Sequence, residues 1–364
     1  MNSCRICRTI VLSCQSAVDG CHWHPARRSR FDAGPACSLI GRMIMLTCLL
    51  LINPAGPSRI AAGESEPSDV DSAFELSEPR TYRLKLTFRV ESKGAALRNV
   101  MVTGPVPIDW REQHVKLIEE RKPAGVTTRV TQFPGQAAML VIRIPAVSAG
   151  GSATVERVYA VTRYQVRFRG DPKSLRVPEK PSRELRKFLG SAPGVEVTDG
   201  KVRRLAKSLI KQEADAWSNV AAIHKWVRSN VKYRAMAFRG AEFALEKKVG
   251  DCEDMTALFV ALCRSSGIPA RTVWIEGHAY PEFYLDDAAG KGFWIPAQVS
   301  GPAWFGRMAE YRPILQKTDR VRDPIRGRYV RYVPQTARAS GGAPRLSISR
   351  SMSINEKTQT EPKR

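Results

Sequence analysis

The strongest constraint on the fold is a change in hydrophobic periodicity near residue 200. Across residues 80–168 apolar side chains recur at about every second position, and turns with Gly or Pro separate the short runs. Several short strands with regular turns predict an all-β, sandwich-like domain. From residue 201 the apolar residues recur every three or four positions, which is the period of an α-helix. The chain is therefore predicted to be α+β, with the β-rich domain at 80–168 and a helix-containing domain at 201–306.

The second domain contains three predicted helices and a hairpin. Apolar patterns predict helices over 202–210 and 217–231, and a third helix begins after Asp251, which has a side chain suited to an N-cap. In that third helix one buried stripe is formed by Met255, Leu258, Phe259 and Leu262. The runs HAYPEFYL and GFWIPAQV, separated by a turn, predict two paired strands.

The remaining segments are predicted to lie outside these two domains. An apolar run of ten residues follows Arg42 and ends at Ile52, and small residues follow it, so a signal peptide cleaved near Ala62 is predicted. Translation is then predicted to start at Met43 or Met45, and the mature chain is expected to be periplasmic or extracellular, without a membrane span. Residues 1–62 are thus a misassigned start plus signal peptide. Composition predicts a flexible lead-in at 63–79, a linker at 169–200 and a basic, largely disordered tail at 307–364.

The charge of the chain limits its partners. The formal net charge is +23, and a basic excess favours anionic surfaces such as an acidic envelope polymer. No zinc-finger spacing, RNA-binding aromatic motif or helix-turn-helix pattern accompanies the charge, so nucleic acid is not the predicted partner. A solvated basic surface with no partner is the simpler alternative.

Cysteine placement separates two groups. Six of the eight cysteines precede residue 49, but their spacing with His22 and His24 fits no standard zinc pattern. Only Cys252 and Cys263 follow. They lie eleven positions apart on one predicted helix, about 16 Å, which is too far for a disulfide. No metal or cofactor is predicted.

Cys252 is the candidate nucleophile, with a zinc ligand and a packed thiol as the alternatives. It lies at a predicted helix N-terminus, where the dipole favours a thiolate, although the adjacent carboxylates oppose this. Cys263 is predicted to be a packed core thiol, and His224 a packed or surface histidine. His278 begins the first hairpin strand, on its polar face.

Gln298 is predicted to reach His278 across the hairpin. If Leu285 pairs with Phe293, Gln298 becomes the same-face diagonal neighbour of His278. A slip of one residue in the strand register would remove this contact. Asp286 is excluded as the residue that orients the imidazole of His278, because eight residues of extended strand place it about 26 Å away.

The stretches GDCEDMTALFVALCRSSGIPAR, GHAYPEFYL and GFWIPAQ together resemble the transglutaminase-like superfamily. The resemblance implies a papain-like core with Cys252 as nucleophile and His278 as base. Gln298 stands where the family usually has an aspartate; in papain-like proteases an amide orients the histidine. The backbone N–H of Cys252 is one candidate oxyanion donor, and Tyr233 or Trp226 is the candidate for the second.

The resemblance implies acyl transfer through a thioester on a peptide or protein amide. Water as acceptor gives a protease or amidase, which is the first expectation, and an amine as acceptor gives cross-linking. The alternative is a catalytically silent binding or scaffold protein of the cell envelope, which the replacement of the aspartate by Gln298 favours.

Overall fold

The computed structural model describes residues 73–323 and 326–354. The predicted translation start, signal peptide and early cysteines lie outside these residues. The first strand begins at Phe74, within the segment predicted to be a flexible lead-in, and Phe74 is buried in the core.

Long strands form the first half of the described chain, as the period of two predicts. Along the first of them Leu84, Leu86 and Phe88 are all buried, at every second position as the predicted period requires. The strands are β1 (Phe74–Ser92), β2 (Leu97–Val106), β3 (Gln113–Arg121), β4 (Thr127–Phe133), β5 (Ala137–Val147) and β6 (Ser152–Phe168).

Helices and shorter strands follow, and they confirm the predicted change of period. The helices are α1 (Arg183–Arg186), α2 (Gly200–Leu209), α3 (Ala216–Asn230), α4 (Ala241–Lys247) and α5 (Cys252–Ser265). The strands around them are β7 (Lys232–Tyr233), β8 (Val249–Gly250), β9 (Ala270–Ile275), β10 (His278–Asp286) and β11 (Gly292–Pro296). Every residue of α5 from Asp254 to Arg264 is buried, so α5 is the central helix.

The last part of the chain adds six strands, in place of the predicted disorder up to Ile354. They are β12 (Arg307–Met308), β13 (Ile314–Lys317), β14 (Val321–Arg322), β15 (Tyr329–Val330), β16 (Thr336–Ser340) and β17 (Pro344–Ile354). The prediction was wrong because it required an apolar period. In β17 the apolar Leu346 and Ile348 alternate with Arg and Ser, and pairing along β1 supplies the rest of the order.

Two large antiparallel sheets combine strands from distant parts of the chain. One sheet has the order β12-β6-β1-β17, with β3 also paired to β6. The other has the order β11-β10-β9-β13-β5-β2-β16, with β4 also paired to β5. In the second sheet β13 pairs with both β9 and β5, so hydrogen bonding continues across the predicted domain boundary. The boundaries themselves stay a prediction.

Two large hydrophobic cores form within the described residues. One fills the space between the sheets with inward side chains of β1, β2, β5 and β6, as in a sandwich. The other packs α2 to α5 against β9, β10 and β11. The predicted linker contributes to the second core, because Leu175, Val195 and Val197 are buried there. Within the described residues, no helix is long and apolar enough to cross a membrane.

Candidate active site

Cys252 is the first residue of α5, as predicted. Asp251 is the N-cap, and its side chain accepts hydrogen bonds from the backbone N–H groups of Glu253 (2.9 Å) and Asp254 (3.0 Å). The Asp254 carboxylate accepts the N–H of Asp251 in return, which completes a capping box. The start of α5, and with it the position of Cys252, is therefore fixed by local sequence.

Asp254 also explains the glycine two residues before the cysteine. Its buried carboxylate accepts the N–H groups of Arg239 and Gly240, each at 2.8 Å. A Cβ at Gly250 would lie 2.5 Å from the Cβ of Asp254, which is closer than real contacts allow. The sequence Gly-Asp-Cys-Glu-Asp thus combines a helix start with a close backbone approach.

Ala279 brings the strand of the histidine to the cysteine. The carbonyl oxygen of Ala279 accepts the hydroxyl of Thr256 on α5 at 3.3 Å, and the Ala279 backbone lies close enough to the Cys252 thiol to lower its pKa. Since Ala279 directly follows His278, the start of β10 lies against the N-terminal turn of α5.

His278 and Gln298 form the predicted contact. Leu285 pairs with Phe293, so the predicted strand register is confirmed. The Nε2 of His278 lies 3.2 Å from the Oε1 of Gln298, which is buried. The paired strands end at Pro296, and Gln298 reaches the imidazole from the loop that follows. The polar face predicted for β10 is covered, because Tyr280 and Glu282 are buried.

Electrostatics favour the neutral forms of both candidate groups. Burial, together with the carboxylates of Asp251 and Glu253, raises the pKa of the Cys252 thiol to about 11, although the hydrogen bond from Ala279 opposes the rise. The helix position favours a thiolate, but burial has the larger effect on the pKa of Cys252, so the thiol form is favoured. Burial, then the Arg312 guanidinium, lowers the pKa of His278. The resting site is a thiol beside a neutral imidazole.

Arg312 is a site residue that the sequence did not reveal. Its guanidinium donates to both carboxylate oxygens of Glu310, at 3.0 and 2.6 Å, and to the carbonyl oxygen of Glu276 at 3.1 Å. Glu276 precedes the turn that leads into His278, so these contacts place a cation beside the histidine. No sequence signal indicated this, because Arg312 lies in the segment predicted to be disordered.

Two further arginines from the last part of the chain border the same turns. Arg331 contacts the carboxylate of Glu253, next to Cys252, at 3.1 Å, and its guanidinium lies 4.2 Å from the Phe238 ring centre. Arg350 on β17 lies 3.3 Å from the carboxylate of Glu276. The C-terminal strands therefore form part of the surroundings of Cys252 and His278.

The other candidates of the sequence lie at the periphery or in the core. Cys263 is free and fully buried, as a packed thiol should be, and Cys252 is also free. Tyr233 pairs through its backbone with Gly250, but about half of its side chain is exposed. The Trp226 ring packs against the Lys248 ammonium at 4.3 Å. The second oxyanion donor stays a prediction.

His224 is packed, in agreement with one of its two predicted environments, and it also contacts the site. Its Nε2 lies 2.8 Å from the carbonyl oxygen of Gln298. Across the described ranges there is no group of three or more His, Cys, Asp or Glu side chains arranged to bind a metal ion.

Comparisons with known proteins agree with the fold. Residues 203–299 match the sequence profile of the transglutaminase-like superfamily. A crystal structure of a candidate cysteine protease from Cytophaga hutchinsonii is similar with a TM-score of 0.52 and 15% identity, over 78% of this chain and 93% of that protein. An uncharacterized protein of Haemophilus influenzae is 27% identical over 37% of this chain, and the match spans only 44% of that relative.

Proposed function

We propose that residues 203–299, which match the transglutaminase-like superfamily, transfer the acyl group of a peptide or protein amide through a thioester on Cys252. Water is the proposed final acceptor, which makes the protein a cysteine protease or amidase. Cys252 is the nucleophile, His278 the base and Gln298 the residue that orients the imidazole.

The observation that supports this proposal is the contact between His278 and Gln298 beside the start of α5. An amide oxygen only accepts hydrogen bonds, so the Nε2 of His278 must carry the hydrogen. A neutral imidazole then has its acceptor at Nδ1. The base is therefore Nδ1, the ring nitrogen that Gln298 does not contact. The Ala279 backbone, which directly follows His278, lies near the Cys252 thiol.

The proposed reaction proceeds in two halves. The Nδ1 of His278 takes the thiol proton as the Cys252 sulfur attacks the amide carbonyl, and a tetrahedral oxyanion forms near the backbone N–H of Cys252. The imidazolium then protonates the leaving amine, the C–N bond breaks and a thioester remains. In the second half His278 takes a proton from water as the hydroxide adds to the thioester. The C–S bond then breaks, the imidazolium returns its proton to the Cys252 sulfur, and the carboxylic acid is released.

The neutral resting pair has a kinetic consequence. Because burial raises the pKa of Cys252 to about 11 and lowers that of His278, the proton transfer accompanies sulfur attack and does not precede it. Alkylation of Cys252 should therefore rise with pH toward about 11. An imidazolium–thiolate pair would instead give fast alkylation at acid pH.

The alternative proposal is a silent binding or scaffold protein. Gln298 in the place of a carboxylate favours it, since an amide stabilises imidazolium less than a charge does. Cross-linking remains the alternative acceptor chemistry. We further propose, from sequence alone, that the apolar run before Ala62 exports the chain and that its basic surface meets anionic envelope polymers.

The test uses the full-length chain with a mixture of denatured proteins and a biotinylated primary amine. New peptide N-termini that depend on Cys252 and on His278 indicate hydrolysis, and biotin incorporated at glutamine indicates cross-linking. Cys252→Ala is the essential control, and Cys263→Ala is the matched control because that thiol is buried in the same helix. If wild type and Cys252→Ala gave the same new N-termini and the same biotin incorporation, the proposed catalysis would be refuted and the scaffold alternative would be favoured.

A further inference from the structure

The loop that carries Gln298 is closed by its own backbone. Ala297 forms a bridge with Phe305, and the N–H of Gln298 donates to the carbonyl oxygen of Trp304 at 2.7 Å. The turn between these contacts uses Gly301, whose φ of +80° suits glycine. These bonds fix the base of the loop but do not tie the loop to any helix.

Helix α3 makes that connection with two side chains one turn apart. The Nε2 of His224 lies 2.8 Å from the Gln298 carbonyl oxygen, and the Nη1 of Arg228 donates to the same oxygen at 3.0 Å. The Nη2 of Arg228 also donates to the carbonyl oxygen of Gly301 at 2.9 Å. A carbonyl oxygen accepts two hydrogen bonds, so both donors of α3 satisfy the Gln298 backbone fully.

The ring of His224 is itself fixed by aromatic packing. Its centre lies 5.1 Å from that of Phe305, at the end of the loop, and 6.4 Å from that of Phe259 on α5. Burial, then the neighbouring Arg228, lowers the pKa of His224, although the bond to Gln298 opposes this. His224 therefore donates as a neutral imidazole in a packed position, between the helix of Cys252 and the loop of Gln298.

We infer that His224 and Arg228 are positioning residues for the reaction. By fixing the backbone of Gln298 they fix its side-chain oxygen at His278, and so they select the Nε2–H tautomer that leaves Nδ1 as the base. The inference rests on the proposed function for its catalytic meaning, but the state of the His278 ring is measurable without turnover.

The test compares variants of the full-length chain that remove the donors and keep the shape. His224→Phe keeps an aromatic ring against Phe305, Arg228→Met keeps a long side chain, and the double variant removes both donors. His224→Gln is the conservative variant, because its amide nitrogen restores a donor near the Nε2 position. Lys225→Met is the matched control, since Lys225 is exposed on the same helix.

Two measurements follow: the ring ¹⁵N shifts of His278, which report its tautomer, and the kcat and KM of Cys252-dependent hydrolysis. In the double variant we expect the Nε2–H tautomer of His278 to be lost. We also expect kcat to fall by about tenfold or more while KM stays nearly unchanged. For comparison, loss of the residue that orients the histidine in a serine protease lowers kcat by about 10⁴-fold. His224→Gln should recover most of the His224→Phe loss. Lys225→Met should match wild type.

A double variant that keeps the Nε2–H tautomer and a kcat within about twofold of wild type would overturn the inference. If the double variant does not fold, the comparison of His224→Phe with His224→Gln decides by the same two readouts. A wild type without Cys252-dependent turnover would refute the proposed function, while the tautomer measurement would still test the positioning of His278.

Discussion

Strand β10 carries two polar environments that differ in how their charges are compensated. At its start, the partly buried His278 has the amide oxygen of Gln298 as its partner, near the N-terminal turn of α5. Four residues later, the carboxylate of Glu282 contacts the Lys317 ammonium at 2.7 Å and the Arg271 guanidinium at 2.7 Å. Lys317 also contacts Glu112 at 2.6 Å, and this cluster of four charges is buried.

The pKa shifts of buried groups have opposite directions in the Glu282 cluster and at Cys252. Burial alone would raise the pKa of Glu112, but the cations, Lys317 first, outweigh it and lower the pKa to about 2. At Cys252 burial is the largest influence and nearby charges are mostly acidic, so the pKa rises to about 11. Full pairing preserves charge and contributes to structure, whereas incomplete pairing leaves neutral groups that can exchange a proton.

The largest expected effect is that of Lys317→Met on stability. The change leaves Glu112 and Glu282 facing each other without their shared cation, and breaking a buried ion pair typically costs about 3–5 kcal/mol. Urea unfolding measures it. Lys85→Met is the matched control, because Lys85 forms a surface pair with Glu156 that contributes less than about 1 kcal/mol. Equal losses in the two variants would contradict the comparison.

The pH dependence of stability should show the same cluster. The pKa of Glu112 is about 2 in the folded chain and about 4.3 when unfolded. A lowered folded pKa gives stability that is present above about pH 4.3 and is lost as the pH falls toward 2, by roughly 3 kcal/mol. Urea midpoints between pH 2 and 6 test this for wild type. In Lys317→Met the loss of stability between pH 6 and pH 2 should be much smaller. If its stability fell with pH as steeply as that of wild type, Lys317 would not be the cause of the low pKa of Glu112.

Gln298→Glu should make the site resemble the paired cluster. An isosteric carboxylate at the Nε2 of His278 stabilises imidazolium, so the pKa of His278 should rise by about 1–3 pH units. A pH titration of the His278 ring by NMR measures the change. Gln298→Met, which has similar length and no acceptor, serves as the control and should show no rise. A Gln298→Glu titration identical to wild type would mean that the contact does not form in solution.

The smallest expected effect is that of Arg312→Gln. Removing the guanidinium removes a charge that disfavours imidazolium, so the pKa of His278 should rise, in the same direction as in Gln298→Glu but by less, because Glu310 already neutralises part of that cation. The same titration measures it. Arg307→Gln, an exposed arginine in the same segment, is the control. A fall in the pKa of His278 would show that Arg312 acts on it in another way.

Features that depend on short-range order could be predicted from the amino-acid sequence. The cap at Asp251, the buried stripe of α5 and the Leu285–Phe293 register follow from patterns within about forty residues, and the register predicted the contact between His278 and Gln298. Capping, periodicity and hairpin parity depend on residues that are close in sequence, so they can be recognised in a single amino-acid sequence.

Contacts between distant segments could be recognised only in the folded chain. Strand β17 has little apolar content and is ordered by pairing with β1, more than 250 positions earlier. Lys317 meets Glu112 across 205 positions, and Arg331 meets Glu253 across 78. The Gln298 carbonyl meets both donors of α3. Such contacts join side chains with no shared period, and a charge in the sequence does not indicate which partner will neutralise it.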